Sequence, residues 1–202
     1  MDIILATRNP SKAEQIKAVF NGSSLTIRTL TETGIVGDAV EDGDTLEQNA
    51  LKKARFAHNK AGSPAWTMAD DTGLFITALH GQPGVRAARW AGEHATTKEI
   101  MEHCLSRLRG AADRSATFQT VVAIVTPEGN EHFFSGEVHG QLLEAPRTDF
   151  QPGMPYSPIF MPDGTDLVWA EMGVEQENEI SHRGKAFRQA RVFLEQLAPA
   201  RR

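Results

Sequence analysis

Two adjacent aspartates, Asp70 and Asp71, follow a short apolar run in the sequence. Neighbouring carboxylates beside buried residues cost free energy unless cations, hydrogen bonds or a metal compensate them. One of the two can hold Mg²⁺ while one activates a water molecule. An Asx-type turn that Gly73 closes is an equally good interpretation of residues 70–73.

A second group of candidates lies at the turn between the first predicted strand and the first predicted helix. Asn9 is suited to cap the helix and Pro10 to occupy its first turn. Helix N-termini present free N–H groups and bind anions, and Lys12 would add a positive charge beside Thr7 and Asn9. An ordinary helix cap with a surface lysine is the simpler interpretation, and the glycines of a Walker loop are missing.

An acidic segment precedes the second predicted helix. Its carboxylates are those of Asp38, Glu41, Asp42 and Asp44. Carboxylate oxygens are the ligands that Mg²⁺ prefers, although a solvated acidic loop explains this segment better when it is taken alone. Asn49 and Lys53 lie four residues apart in the following helix and share a face. That face is either the solvated side of the helix or one wall of a cleft.

The last predicted helix opens with Ser181, His182 and Arg183. A cation in the first turn opposes the helix dipole, so an anion nearby would compensate for Arg183. Its guanidinium also has the right shape for a phosphate or a base edge, while an interface or surface arginine is the alternative. Together, the four groups supply carboxylates for a metal and cations and amides for phosphates. That combination suits phosphoryl chemistry, which depends on positioning and charge neutralisation.

Alternating strands and helices must position these residues. Apolar runs predict strands at residues 3–6, 25–30, 66–69, 74–78, 118–125 and 131–138. Helix starts are predicted at Asn9, Thr45, Thr96 and Ser181. The last helix is predicted to bury one face, which consists of Phe187, Ala190, Leu194 and Leu197. Residues 31–44 and 144–166 carry few regular signals. The pattern predicts a mixed α/β fold.

Composition narrows the functional classes. The net charge of −5 argues against a general nucleic-acid binder. The single cysteine, Cys104, excludes an internal disulfide and lies on an apolar helical stripe, so it is predicted to be a core residue. No apolar run approaches the length of a membrane span, and no secretion signal is evident. We therefore expect a soluble cytoplasmic protein with no membrane partner.

Several sequence blocks, taken in order, match one known family. The blocks are Thr7-Arg8-Asn9-Pro10-Ser11-Lys12, Glu41-Asp42-Gly43-Asp44-Thr45 with Asn49-Ala50, Ala69-Asp70-Asp71-Thr72-Gly73-Leu74, Pro83-Gly84-Val85-Arg86-Ala87-Ala88-Arg89, Pro158-Ile159-Phe160, Ala170-Glu171-Met172 and Ile180-Ser181-His182-Arg183-Gly184-Lys185-Ala186. Over essentially its whole length the chain resembles the inosine triphosphate pyrophosphatases (ITPases), hydrolases of the RdgB type that act on non-standard purine nucleotides.

This resemblance implies an α/β protein with two lobes, a long central β-sheet and an active-site cleft between the lobes. Residues 1–202 would form a single ITPase-like domain, and two copies would form a homodimer. The implied activity is nucleoside-triphosphate pyrophosphohydrolysis, which converts ITP, dITP and XTP to the monophosphate and pyrophosphate. The implied cofactor is Mg²⁺, with Mn²⁺ as an alternative.

The resemblance also assigns roles to residues. Thr7, Asn9 and Lys12 would hold the triphosphate with help from Lys53. Glu41 and Asp71 would bind the metal, and Asp71 would also be the catalytic base that activates water. Thr72 would contact the substrate, and His182 and Arg183 would reach its base or ribose. Arg8 and Asn49 belong to the same predicted nucleotide site.

Substrate recognition is where the chain departs from the family. A Phe-Gly-Tyr-Asp-Pro segment of the family's base pocket is here Met154-Pro155-Tyr156-Ser157-Pro158, and a family lysine is replaced by Glu177. Met154, Tyr156, Ser157 and Glu177 are therefore predicted to contact the substrate in an altered pocket. The charge reversal at Glu177 should repel phosphate or select a cationic or hydrogen-bond-donating group. The alternatives are a nucleotide-binding family member with changed base specificity or weakened catalysis, and a structural protein that uses only the fold.

Overall fold

The computed structural model describes residues 1–198. Within them the strands are β1 Asp2–Leu5, β2 Thr26–Thr29, β3 Trp66–Ile76, β4 Pro83–Gly84, β5 Ser115–Val125, β6 Glu131–Leu142 and β7 Phe160–Pro162. The α-helices are α1 Pro10–Val19, α2 Leu30–Thr33, α3 Leu46–Lys60, α4 Thr97–Arg107, α5 Val174–Ile180 and α6 His182–Leu197. The predicted mixed α/β class is confirmed.

All the described strands belong to one sheet, in the order β2-β1-β3-β5-β6-β7, with β4 paired to β3. Strand β1 runs parallel to β2 and β3, and α1 supplies the crossover between β1 and β2. Strands β5, β6 and β7 continue the sheet in antiparallel fashion. The turn that follows β1 therefore lies beside the middle of β3.

Strand β3 is continuous through the two aspartates. We predicted two strands separated by a turn at residues 70–73, and this prediction is wrong, as is the Asx-turn interpretation. The backbone pairs with β5 without interruption, so Asp70 lies opposite Val122 and Gly73 opposite Gln119. Gly73 permits a close approach, because a Cβ there would lie 3.1 Å from the carbonyl oxygen of Gly84.

Apolar side chains pack on both faces of the sheet. Helix α3 covers one face with Ala50, Ala54 and Ala57, all of which are completely buried. Helices α1 and α6 cover the other face of the parallel part. A third cluster lies further along β3 and β5, beneath α4, and includes the buried Cys104 as predicted. The long strands β3 and β5 thus contribute to all three clusters.

Two short helices and one exposed leucine were not anticipated. Helix α2 begins at a capping box formed by Thr29 and Glu32, so Leu30 opens a helix where residues 25–30 were predicted as a strand and residues 31–44 as irregular. Helix α5 precedes α6 directly. Leu197 is 51% exposed instead of buried, because it lies about 80° around the helix from Phe187 in the terminal turn.

None of the helices described for residues 1–198 is both long and apolar enough to cross a membrane.

Candidate active site

Asp70 and Asp71 point to opposite faces of the sheet, as successive residues of a strand must. The Oδ2 atom of Asp70 lies 3.3 Å from Nζ of Lys12, on α1. It also lies 3.6 Å from Nε of Arg183, an ion pair without a hydrogen bond. The Oδ1 atom of Asp71 lies 2.8 Å from Nζ of Lys53, on α3. Each carboxylate is therefore compensated by a cation from the helix on its own side.

The two aspartates differ in their electrostatics. Burial opposes ionisation of Asp70, but Lys12 and Arg183 outweigh it and hold the pKa of Asp70 well below its usual range. Burial raises the pKa of Asp71, and Lys53 offsets this only in part. Burial also lowers the pKa of Lys12. Asp70 is thus a fixed negative charge, whereas Asp71 has the raised pKa that suits a general base.

Glu41 and Asp71 converge on one point. The Nζ atom of Lys53 lies 3.0 Å from Oε2 of Glu41 and 2.8 Å from Oδ1 of Asp71. Burial alone would lower the pKa of Lys53, but the neighbouring carboxylates outweigh it and raise that pKa. The guanidinium of Arg89 donates a hydrogen bond to the backbone carbonyl of Glu41 and so fixes this turn.

This pair of carboxylates is a suitable donor set for a hard divalent cation, which takes one or two carboxylates and completes its shell with water and phosphate oxygens. Among residues 1–198, no group of three or more His, Cys, Asp or Glu side chains is arranged to hold a metal. The site therefore fits a metal that arrives with a phosphate ligand better than one held by the protein alone.

Asn49 is a buried link between Asp71 and the acidic segment. Its Nδ2 donates to Oδ2 of Asp71 at 3.3 Å, and its Oδ1 accepts from the backbone N–H of Gly43 at 2.8 Å. These bonds give Asn49 a positioning role beside Asp71. A contact of Asn49 with substrate stays a prediction.

Of the four carboxylates in the acidic segment, only that of Glu41 lies beside Asp71 and Lys53. Asp38 pairs with Arg8 at 2.9 Å, Asp42 pairs with Lys52, and Asp44 lines a different groove. Arg8 also donates to the backbone carbonyls of Ile35 and Gly37. Its guanidinium thus fastens residues 35–38 at the rim of the site, and its contact with substrate stays a prediction.

The N-terminus of α1 has the predicted geometry. Asn9 Oδ1 accepts from the backbone N–H of Lys12 at 3.1 Å, and Thr7 Oγ1 accepts from that of Asn9 at 3.3 Å. A first cavity of about 270 Å³ opens here. Its lining includes Thr7, Arg8, Asn9, Lys12, Glu41, Lys53, Asp70, Asp71 and Thr72. The structure thus assembles residues that are far apart in sequence around one polar space lined by cations and carboxylates.

A second cavity of about 100 Å³ adjoins the first and shares Lys12, Thr72, Ala88 and Gly153 with it. Its lining includes Met154, Pro155, Tyr156, Ser157, Glu177, His182 and Arg183. The imidazole of His182 stacks on the ring of Phe118 with centroids 4.9 Å apart and planes 17° apart. Burial holds the pKa of His182 well below its usual range, so the imidazole is neutral. Flat apolar walls of this kind suit a planar ring.

Two of the predicted contact residues are structural within the wall of the second cavity. The Tyr156 hydroxyl donates to the carbonyl oxygen of Ala87 at 2.8 Å, and burial raises the pKa of this phenol. The Ser157 hydroxyl donates to the carbonyl of Met154 and accepts from the backbone N–H of Gln151. Both polar groups are therefore already engaged, and they shape the cavity.

Several residues of the site were not among the sequence candidates. Gln15 donates to Oε2 of Glu177 at 2.8 Å and accepts from Nη1 of Arg183 at 2.6 Å. It lies three residues after Lys12 on α1, so helical spacing alone points to it. Gln151 and Trp169 also line the second cavity, but they lie in irregular or 3₁₀ segments that carry no periodic signal.

A groove of about 810 Å³ lies elsewhere, along β5, β6, the start of α3 and the exposed side of α6, and Asp44 is the one predicted metal or substrate residue among its described lining. Its lining includes Gln119, Glu137 and Lys185. The first and second cavities, which most of the candidate residues line, are both smaller than this groove.

Comparison with known proteins agrees with this geometry. The Ham1 family profile matches residues 3–193. The chain is 41% identical over 196 residues to a dITP/XTP pyrophosphatase of Thermoanaerobacter sp., with 96% of each chain covered. It is 39% identical over 186 residues to a dITP/XTP pyrophosphatase of Geobacter sulfurreducens, with 91% of this chain and 92% of that one covered.

Among solved structures, a HAM1 protein from Coxiella burnetii matches with a TM-score of 0.83 at 33% identity, covering 97% of this chain and 99% of that one. The Ham1 protein of Staphylococcus aureus matches with a TM-score of 0.82 at 31% identity, covering 98% and 100%. These matches confirm the family resemblance and the fold predicted from the sequence blocks. The chain belongs to the Ham1 family.

Proposed function

We propose that this protein is a nucleoside-triphosphate pyrophosphohydrolase that converts non-standard purine nucleotides, namely dITP, ITP and XTP, to the monophosphate and pyrophosphate. The observation that carries the proposal is the placement of Asp71, Glu41 and Lys53 in a polar cavity, lined by cations and carboxylates, that adjoins a flat-walled one. The names of the relatives from Thermoanaerobacter and Geobacter support the substrate class.

In this proposal the triphosphate lies in the first cavity. The positive end of the α1 dipole lies beside this cavity, and Lys12 and Lys53 add charge. Thr72 lies at the boundary of the two cavities and would contact the α-phosphate or ribose. The base enters the second cavity, between His182 and the Met154 segment.

Asp71 is the proposed general base. It takes a proton from a water molecule whose oxygen attacks the α-phosphorus, and the bond from that phosphorus to the α,β-bridging oxygen breaks. Pyrophosphate leaves with the bridging oxygen, and Lys12 and Lys53 neutralise its charge. Glu41 and Asp71 would hold Mg²⁺, or Mn²⁺ in its place. When bound, the cation supplies charge neutralisation at the phosphate oxygens.

A second candidate function is nucleotide binding with altered base specificity or weakened catalysis. The buried carboxylate of Glu177 in the second cavity favours it, because a negative charge there changes what the cavity accepts. Tight nucleotide binding without turnover would distinguish this candidate from the first.

The proposal also includes one domain over residues 1–202, a homodimer and a cytoplasmic location. The contribution of β3 and β5 to all three core clusters supports the single domain. The family resemblance supports the dimer and the location. Light scattering of the purified protein tests the dimer, and imaging of a fluorescent fusion tests the location.

The decisive experiment is a nucleotide panel with Mg²⁺ or Mn²⁺ in isotopically labelled water. Pyrophosphate release with label found only in the monophosphate is the expected result, since attack is at the α-phosphorus. Label in pyrophosphate would contradict the cleavage site. No pyrophosphate from any nucleotide, with a relative active in parallel, would contradict the activity.

A further inference from the structure

Thr72 lies at the junction of the first and second cavities and lines both of them. Its Oγ1 atom lies 3.3 Å from Oδ2 of Asp70, two residues earlier on β3, and 2.7 Å from Oγ1 of Thr120 on β5. Thr72 and Thr120 are direct partners in the register of the two strands. Thr120 borders the groove of about 810 Å³, but its exposed fraction is 0%. A buried hydroxyl therefore contacts the one that faces the two cavities.

The direction of these two hydrogen bonds follows from the charge of Asp70. Burial opposes ionisation of Asp70, but Lys12 and Arg183 outweigh it and hold its pKa well below the usual range. The ionised carboxylate can only accept, so Thr72 donates its single hydroxyl proton to Asp70. The 2.7 Å hydrogen bond is therefore donated by Thr120 and accepted by Thr72.

The two hydrogen bonds of Thr72 differ in strength in a way that favours a ligand. The 2.7 Å bond from Thr120 has the usual length for two hydroxyl groups, whereas the 3.3 Å bond to Asp70 is longer than hydroxyl donors usually make. The first bond fixes the position of the Thr72 oxygen. The second is weak and is easily exchanged for another acceptor. Because Thr120 donates and does not accept, the proton of Thr72 stays available to a phosphate or ribose oxygen.

The side of the sheet on which Thr72 lies indicates what it contacts. Thr72 and Asp71 are successive residues of β3, so they point to opposite faces. Thr72 shares its face with Asp70 and Lys12, whereas the proposed general base pairs with Lys53 on the other side. A contact from Thr72 is therefore made to the ribose or to a non-reacting oxygen of the α-phosphate. Such a contact is equally strong in the ground state and the transition state, so it affects KM and leaves kcat nearly unchanged.

We propose that Thr120 is a positioning residue for nucleotide binding, which donates its hydroxyl proton to Thr72 and thereby presents the Thr72 hydroxyl as a donor to the ribose or the α-phosphate. This inference rests on the proposed function, whose substrate site it extends to a buried residue. Cross-strand threonine pairs also stabilise sheets. A purely structural pair would change the free energy of unfolding and leave KM unaltered, and that difference is what the test measures.

The test is a double-mutant cycle of Thr72→Val and Thr120→Val, in which KM and kcat are measured for ITP hydrolysis with Mg²⁺. Valine keeps the branched shape of threonine and removes the hydroxyl. We expect Thr120→Val alone to raise KM about five- to tenfold, the size of one neutral hydrogen bond. Because Thr120 acts through Thr72, the double variant should have the same KM as Thr72→Val alone. Thr120→Ser retains the hydroxyl and should restore the wild-type KM.

Thr67→Val is the matched control. Thr67 is an equally buried threonine of β3, and its hydroxyl donates to the carbonyl oxygen of Ala54 at 3.0 Å. It is absent from the described lining of both cavities, so its loss should leave KM unchanged. Additive effects of the two valines on KM, or an unchanged KM in a folded Thr120→Val protein, overturn the inference. Should Thr120→Val not fold, Thr120→Ala removes the same hydroxyl and must show the same dependence on Thr72.

Binding of IMP, measured by calorimetry, separates this inference from the proposed function, because IMP carries both the ribose and the α-phosphate. If no triphosphate is hydrolysed but Thr120→Val weakens IMP binding about five- to tenfold, the pyrophosphohydrolase proposal fails and the positioning role stands. If ITP is hydrolysed but Thr120→Val changes neither KM nor IMP affinity, the positioning role fails alone. A wild type that neither hydrolyses a triphosphate nor binds IMP contradicts both.

Discussion

Lys53 is held between two carboxylates, with its Nζ atom 2.8 Å from Asp71 and 3.0 Å from Glu41. An ammonium group occupies the point at which these two side chains converge. A cation that binds there with the triphosphate must therefore compete with Lys53 or move it towards the phosphates. In this exchange the ammonium group of Lys53 would move from the carboxylates to the leaving group. Metal binding would then be coupled to neutralisation of the pyrophosphate charge.

Asp71→Asn should abolish turnover and leave the fold intact. The amide cannot accept the proton of the attacking water, and loss of a general base lowers kcat by about 10²–10⁴-fold. Pyrophosphate release measures the rate, and thermal unfolding checks the fold. A variant that keeps the wild-type rate would show that another group is the base.

Asp70→Asn should act mainly on stability. Asp70 is buried and faces Lys12 and Arg183, so its removal leaves those cations without their anion. Breaking a buried pair in this way costs about 3–5 kcal/mol, the lower end being expected because Lys12 is partly exposed. Urea unfolding measures the free energy of unfolding. A loss of less than about 0.5 kcal/mol, the usual effect of a surface substitution, would contradict this account.

Asn49→Ala should lower kcat and change KM little. Asn49 orients Asp71 through a 3.3 Å hydrogen bond and also fixes the backbone of Gly43. Loss of a supporting hydrogen bond of this kind costs about 10–100-fold in activity. Steady-state kinetics separates the two constants. Asn59→Ala, the same substitution at an exposed position of α3, is the control; an effect confined to KM would instead indicate direct substrate binding.

Cys104 should be inert in the native protein. It is fully buried, and burial raises the pKa of its thiol to about 12. Because the folded pKa lies above the ordinary value of 9.0, the stability linked to this group is complete below about pH 9 and is lost as the pH rises towards 12. Alkylation followed by mass spectrometry should detect modification in urea but not in buffer at pH 8. Rapid native labelling would contradict the burial.

Local signals in the sequence predicted much of the site. The cap at Asn9, the helix start at Thr45 and the shared face of Asn49 and Lys53 depend on spacings of a few residues, and the structure has them as expected. Asp71 also lies beside Glu41 through Lys53, while the metal-binding roles that the resemblance implied for the two carboxylates stay predictions.

Long-range pairing explains what the sequence did not predict. The continuity of β3 through residues 70–73 depends on its partner β5, about fifty positions later, and polar residues in a strand interior resemble a turn when viewed alone. The environment of Glu177 depends on Gln15, which is 162 residues away. The charge reversal was visible in the sequence, but the hydrogen bond from Gln15 that fixes one of its oxygens was not.

Because Asp70 and Asp71 point to opposite faces of the sheet, turnover should depend on the hydrogen-bond register of β3. A slip of one residue against β5 would exchange the two carboxylates between the α1 and α3 sides. Asp70 would then lie on the side of Lys53 and Glu41, and Asp71 on the side of Lys12 and Arg183. An insertion or deletion in either strand should therefore be far more damaging to turnover than a substitution of similar thermodynamic cost, because it would exchange the environments of the two aspartates.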